Sequence, residues 1–235
     1  MKRLILHAIF ILVMSEFHMQ SFAQNIDEKE ILSLRNECGG VYFNNKEVLE
    51  KSWGKSLRFF DLKKGDKVAD IGAKSMTFLG TLSVFYENVD FYCEDIDSTC
   101  TTSKQAQKVI DFYSKIKGSP ISCKFIPVIG TETSTTLPKN FFDKVIIDNS
   151  LHEFSEKVLM MEDIKRILKE KGNLYLRESL GRTNGELHMG CNQALFDEAH
   201  LIAFITQQGF KFIKSEDSQI LTGAFLSKLF LFIKE

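Results

Sequence analysis

The sequence predicts an α/β fold, a mostly parallel seven-stranded sheet covered by helices on both faces, with an antiparallel strand near one edge. Three observations predict it. From Lys67 onward, short apolar runs alternate with longer stretches of helical periodicity, and parallel strands need crossovers with room for a helix. The last two apolar runs follow each other closely, so a tight return between them turns one antiparallel. Acidic residues and glycines gather just after the first four runs, which puts them all on one edge of the sheet.

Taken in order, Lys2 and Arg3 precede the apolar run Leu4 to Met14, and Ser21-Phe22-Ala23 places small residues where a signal peptidase reads. Residues 1–23 are therefore expected to be a signal peptide cleaved after Ala23, which implies export to a periplasmic or secreted location. The run is too short for an ordinary membrane span, so no stable membrane insertion is expected once it is removed. The alternative is an amphipathic first helix of a cytoplasmic protein. Residues 24–61 hold two charged helices, Glu28 to Arg35 and Lys46 to Phe60, and residues 62–235 form the main domain.

Within that domain the strands are expected at Lys67 to Ile71, Asn88 to Cys93, Ile121 to Val128, Phe142 to Ile147, Asn173 to Arg177, Phe210 to Lys214 and Phe225 to Ile233. Helices are expected at Thr77 to Tyr86, Thr101 to Ile116, Ser155 to Lys169 and Leu195 to Gln208. Between the third and fourth strands the rhythm breaks, because Thr131 to Asn140 carries threonines and Pro138 and reads as a loop.

Composition narrows the partners. Thirty basic side chains against 31 acidic ones leave a net charge of −1, so no global field gathers nucleic acid or an anionic membrane. The 21 phenylalanines fall in strand and helix patterns without interleaved basic residues, which marks packing over a base-stacking platform. Five cysteines (Cys38, Cys93, Cys100, Cys123, Cys191) are an odd count with no zinc-module spacing, and most read as small apolar fillers. Neither the disulfide status nor the oligomeric state is fixed by the sequence.

In a parallel sheet ligands sit beyond the carboxyl ends of the strands, where chain order reverses. Asp70-Ile71-Gly72 closes the first strand, Glu94-Asp95-Ile96-Asp97 the second, Gly130-Thr131 follows the third, and Asp148 to Glu153 follows the fourth. In these motifs and their order, from about Leu62 to the C-terminus, the chain resembles the class I S-adenosylmethionine-dependent methyltransferases. "LKEKGNLYLRE", Leu168 to Glu178, looks like the turn and fifth strand of the small-molecule members. The resemblance implies a Rossmann-like three-layer sandwich, S-adenosylmethionine as cofactor and a small-molecule methyl acceptor.

It also implies roles. The first loop, Asp70, Gly72, Ala73 and Lys74, would bring backbone amides to the cofactor's carboxylate at a helix N-terminus. Asp95 would accept from the ribose hydroxyls, with Glu94 as the rival on the opposite strand face. Ile96 would lie against the adenine, Thr131 would stand where an acidic partner of the adenine amino group is common, and Asn149 would lie near the methionyl part. Lys74 and Met76 occupy places where the family pattern expects glycine, whose freedom from a Cβ permits a left-handed turn and close approach. Lys74 is read as a solvated rim side chain or as a cation for the methionyl carboxylate, and Met76 as helix packing.

His152, Glu153 and Glu178 are the candidate catalytic residues, His152 as a proton acceptor for an attacking hydroxyl or amine. The alternative is that His152 and Glu153 only cap the next helix and orient the loop. Gly181 to Cys191 is the candidate substrate loop. In it His188 and Cys191 are spaced like half a metal site, which His152 or His200 could complete in space; no metal is assigned from the sequence. Two functional readings follow, a small-molecule methyltransferase and an exported, catalytically silent binding protein of the same fold. A nicotinamide-dependent oxidoreductase fits less well, because its loop needs the glycines that are missing.

Overall fold

Strand β4 (Phe142–Asp148) shows how the molecule is layered: Val145, Ile146 and Ile147 are all fully buried, yet they divide between two cores. Successive strand residues point to opposite faces, so a run that is apolar throughout needs cover on both sides. The same alternation recurs in β1 (Lys67–Ile71), where Val68 faces one core and Ala69 and Ile71 the other.

The computed structural model describes residues 26–220 and 226–235; the signal peptide expected at 1–23 lies outside the described residues. Helices α1 (Glu28–Cys38) and α2 (Lys46–Arg58) precede β1. Then follow α3 (Thr77–Phe85), β2 (Asp90–Asp95), α4 (Ser103–Lys117), β3 (Lys124–Ile129), β4, a 3₁₀ turn (Leu151–Glu153) and α5 (Lys157–Ile167). The chain closes with β5 (Leu168–Leu180), α6 (Glu198–Gln207), β6 (Phe210–Asp217) and β7 (Leu226–Lys234).

The sheet order is β3-β2-β1-β4-β5-β7-β6, parallel except for β7, which runs antiparallel to both β5 and β6. One core packs α1 to α4 on the sheet through Leu49, Leu57, Phe78, Leu79, Val109 and Phe112. The other packs α5 and α6 through Met161, Ile164, Leu201 and Ile205. Chain order reverses between β1 and β4, which defines a crevice at their carboxyl ends.

Several expected boundaries shift for physical reasons. The fifth strand starts at Leu168 because Leu168 pairs with Phe142 before a bulge that resumes at Asn173 opposite Lys144. Helix α5 starts at Lys157, not Ser155, because the chain first turns through Leu151–Glu153. No helix joins β3 to β4; that loop is clamped to α5, where Asp163 accepts from the Thr135 amide and hydroxyl and Arg166 donates to the Leu137 carbonyl (2.9 Å).

The disulfide status that the sequence leaves open is resolved at two positions. Cys38 and Cys100 form a disulfide across 62 residues, tying the end of α1 to the turn after β2. Spacing alone carried no sign of it, because the pairing depends on α1 folding back over α4. Cys93 and Cys123 are buried fillers, as expected, and Cys191 is a half-exposed thiol. Among the described residues no helix is long and apolar enough to cross a membrane.

Candidate functional site

A cavity of about 370 Å³ opens at the carboxyl ends of β1 to β4. Its walls carry Gly72 and Lys74 from the first loop, Glu94 to Asp97 from the second, Thr131 and Glu132 from the third, and Ser150, Glu153 and Phe154 from the fourth. Of the residues expected to hold the cofactor, Gly72, Lys74, Asp95, Ile96 and Thr131 therefore meet in one place. Ile96 is 58% exposed, so it is a rim side chain and not core.

The first loop keeps its turn without the expected glycines. Lys74 (φ 41°) and Met76 (φ 61°) both take left-handed conformations, at a cost of about 1–2 kcal/mol each for a residue with a Cβ. Met76 is fully buried in the core, which holds it in place, whereas the Lys74 side chain is exposed at the rim. Neither residue fills the crevice. Gly72 remains obligatory, because its φ is 81° and an added Cβ would lie 2.7 Å from Ser150 Cβ. Ser150 in turn donates to the Ile71 carbonyl (2.8 Å), which pins the β4 loop against the β1 loop.

The loop amides are arranged differently from the expectation. Gly72 and Ala73 N–H both donate to the Glu94 carbonyl (2.9 and 2.8 Å), and Lys74 N–H donates to Asp95 Oδ2 (2.7 Å). They are thus partnered within the protein instead of pointing free at an anion. Asp95 Oδ1 accepts from the Asp97 amide (2.8 Å), so both carboxylate oxygens are oriented by backbone and retain lone pairs toward the cavity. Thr131 folds its hydroxyl into a local turn, where it accepts from the Ser134 amide (3.0 Å).

Glu94, the rival of Asp95, is buried, and its Oε1 has no partner. Burial, reinforced by the neighbouring Asp95 charge, pushes its pKa up to about 8, so the side chain is a neutral acid at neutral pH. An added Cβ at Gly130 would fall 1.6 Å from Glu94 Oε1, so that glycine makes room for the carboxyl. Asp70 lies beneath the cavity, buried, and burial together with Asp148, Asp95 and Glu94 holds its pKa well above the carboxylate range. Beside it Arg177 grips Asp148 through two nitrogens (2.6 and 2.8 Å). Ala73 is buried in the adjoining core.

Beyond the cavity, at the ends of β4 and β5, the other candidates gather. Asn149 does not line the cavity: its Oδ1 accepts from the Ser179 amide and hydroxyl (3.1 and 2.7 Å) and bridges the two strands. His152 is 1% exposed, and its Nδ1 is 2.7 Å from the equally buried Glu178 Oε1. Burial works against the imidazolium, but the hydrogen bond and charge of Glu178 outweigh it and leave the His152 pKa raised. His152 Nε2 has no hydrogen-bond partner and stands 3.8 Å from Glu153 Oε1.

Of the alternative, the loop-orienting half agrees with the buried His152–Glu178 contact, whereas the N-cap of α5 is Glu156, which makes no side-chain cap bond. Instead, Lys157 Nζ donates to the His152 and Phe154 carbonyls (3.1 and 2.6 Å). The loop from Gly181 folds back as a narrow hairpin, with Leu187 bridged to Ala194. It sets the His188 ring 5.0 Å from the His152 ring and His188 Nδ1 3.2 Å from Cys191 Sγ. His200, the other candidate, pairs with Asp197 at the start of α6.

Asp97, Ser150 and Phe154 reach the cavity from strand-end segments that the sequence singles out, whereas Glu132, Ser155 and Met160 had no sign in the sequence. Glu132 and Ser155 reach the cavity through loops that no periodicity reveals, and Met160 reaches it from α5, where it reads as ordinary helix packing.

Strand order, the crevice at the reversal and the acidic end of β2 together define a protein with the fold of the class I S-adenosylmethionine-dependent methyltransferases. Among solved structures it is similar to a SAM-dependent methyltransferase from Aquifex aeolicus, at 18% identity and TM-score 0.58, covering 88% of this chain and 99% of that one. A SAM-dependent methyltransferase from Methanosarcina mazei matches at 16% identity and TM-score 0.59 over 76% of this chain and 96% of its own. The cyclase SpnF matches at 15% identity and TM-score 0.59 over 88% and 92%. The sequence itself matches no protein-family model and no curated protein.

Proposed function

We propose that the protein is an S-adenosylmethionine-dependent methyltransferase acting on a small molecule. The observation that carries this reading is the cavity itself, in which an oriented carboxylate (Asp95), an exposed apolar side chain (Ile96) and a rim cation (Lys74) line one wall at the β1/β2 strand ends. These residues fit the three parts of the cofactor: Asp95 the ribose hydroxyls, Ile96 the adenine, and Lys74 the methionyl carboxylate, whose charge the paired amides of Gly72 and Ala73 do not meet. The bound cofactor would supply an electrophilic methyl group.

Transfer from a sulfonium depends chiefly on alignment, so the protein's task is to hold the acceptor against the cofactor and keep water out. Glu153, on the cavity wall, borders the space left for the acceptor, and the Gly181 to Cys191 loop comes to this end of the sheet through the contact of the His188 and His152 rings. His152, steadied by Glu178, is buried next to Glu153 and keeps an unpartnered nitrogen.

Export is part of the proposal, supported by the leader pattern of residues 1–23 and by the Cys38–Cys100 disulfide, a bond that persists in oxidising compartments. N-terminal sequencing of protein recovered from the producing cell should begin at Gln24; an intact Met1 would return the chain to the cytoplasm.

A second reading, an exported binding protein of this fold without turnover, is favoured by the internal pairing of the loop amides. The known fold also houses a cyclase, so methyl transfer does not follow from architecture alone. Calorimetric titration with S-adenosylmethionine tests the cofactor. Saturable heat with a matching thermal shift is expected; no heat and no shift at millimolar cofactor would remove the enzyme reading.

A further inference from the structure

The orphan nitrogen of His152 has a second set of neighbours. His152, His188 and Cys191 each offer one ligand atom, and these atoms all lie within 4.8 Å of one another. They come from separate parts of the chain, the 3₁₀ turn after β4 and the hairpin after β5. The hairpin is held by its own hydrogen bonds, His188 N–H to the Gln193 carbonyl and Asn192 N–H to the His188 carbonyl, both 2.8 Å. His188 and Cys191 are thus set at the turn by backbone geometry and do not drift as two independent surface side chains.

We infer that His152, His188 and Cys191 form a transition-metal site, most suited to Zn²⁺, with an open fourth position. Two imidazoles and a sulfur are the donor set that zinc and its borderline-soft neighbours prefer. Metal–nitrogen bonds of about 2.0–2.1 Å and a metal–sulfur bond of about 2.3 Å place tetrahedral ligand atoms about 3.3–3.6 Å apart. His188 Nδ1 and Cys191 Sγ already stand at 3.2 Å, and the remaining gap closes by a shift of about 1 Å in the half-exposed hairpin side chains.

The buried end of the cluster is prepared in the way metal histidines are. Glu178 engages His152 Nδ1 at 2.7 Å and fixes the ring, so Nε2 is the atom left for a ligand. Without one, Nε2 is a buried polar atom with no partner, which is costly in either protonation state. A metal ion at that nitrogen removes the deficit. Glu153, 3.8 Å from Nε2 and on the cavity wall, borders the open position.

The site thus lies next to the cavity wall, with Glu153 as the residue that joins the two. On the methyl-transfer reading, the open position would take an acceptor's sulfur, nitrogen or oxygen and hold it for alkylation; metal binding itself does not depend on that reading.

The experiment is a titration of the metal-stripped, disulfide-intact protein with Co²⁺ alone, followed by displacement with Zn²⁺. One equivalent should bind and produce a thiolate-to-cobalt charge-transfer band with tetrahedral ligand-field absorption. Cys191→Ser should abolish the charge-transfer band, and His188→Ala should weaken Zn²⁺ binding at least about 100-fold; both sit on the surface hairpin and leave the cores intact. Glu178→Gln should lower affinity about 10- to 100-fold, as loss of an outer-shell partner does. Absence of stoichiometric binding, or a band unchanged in Cys191→Ser, would overturn the site and leave His188 and Cys191 as a hydrogen-bonded pair. Calorimetry with S-adenosylmethionine on the same samples separates the two readings, since cofactor binding without cobalt binding removes only the metal, and the reverse removes only the cofactor.

Discussion

Replacing Glu94 with glutamine should convert a pH-sensitive protein into a less sensitive one. Glu94 is 2% exposed, Oε1 is unpartnered, and its pKa lies at about 8 against an ordinary 4.5. In the unfolded chain the carboxyl loses its proton above pH 4.5, whereas in the folded chain it keeps it until about pH 8. Between those values the folded state binds more protons, so stability falls as pH rises, by about 1.4 kcal/mol per pH unit. From pH 5 to pH 8 that amounts to about 4 kcal/mol, a large share of the stability of an ordinary domain.

The sign follows from a raised pKa: the contribution is fully present below pH 4.5 and is lost as pH climbs through 8. Glu94→Gln keeps the shape and neutrality of the protonated acid, so it should match the parent near pH 5 and exceed it increasingly up to pH 8. Urea denaturation of both proteins at half-unit steps from pH 5 to 9 measures the difference. Parallel stability curves would refute the assignment of a buried neutral acid, and with it the view that Gly130 is small in order to house that carboxyl.

Two further perturbations test the frame around the cavity. Lys74→Gly should raise stability by about 0.5–1 kcal/mol, because relief of a left-handed residue outweighs the greater freedom of glycine in the unfolded chain; a lower urea midpoint for the variant would show that the lysine holds the loop. Replacing Cys38 and Cys100 together by serine should cost about 4 kcal/mol, the chain-entropy value for a closed loop of this length. Equal denaturation midpoints with and without reductant would contradict it.

Much of this molecule is legible in the residues, for reasons that differ from element to element. The parallel core is visible because strands buried on both faces are apolar throughout, and β1 falls where Lys67 to Ile71 predicts it. The antiparallel end follows from the short connection before Phe225. The strand-end residues Gly72, Asp95, Ile96 and Thr131 converge because any parallel sheet brings its carboxyl ends to one edge.

What stayed hidden depends on the third dimension. Lys74 and Met76 read as an obstruction, since a sequence shows the missing glycine but not that buried packing of Met76 can hold a left-handed turn. The Cys38–Cys100 bond required knowing that the first helix lies over α4. Of the three ligand atoms now proposed to meet at a metal, the i, i+3 spacing of His188 and Cys191 was visible. That His152, and not His200, completes them is decided by the fold of the hairpin after β5.

On the function proposed above, the β1/β2 crevice holds an adenosyl cofactor through the Asp95 carboxylate. Calorimetric titration of S-adenosylhomocysteine into the parent protein and into Asp95→Ala tests it most directly. Saturable binding to the parent is expected, with a loss of about 1–3 kcal/mol in the variant, the scale of hydrogen bonds to a charged group. Equal affinity in the two proteins, with the fold of the variant intact, would contradict it.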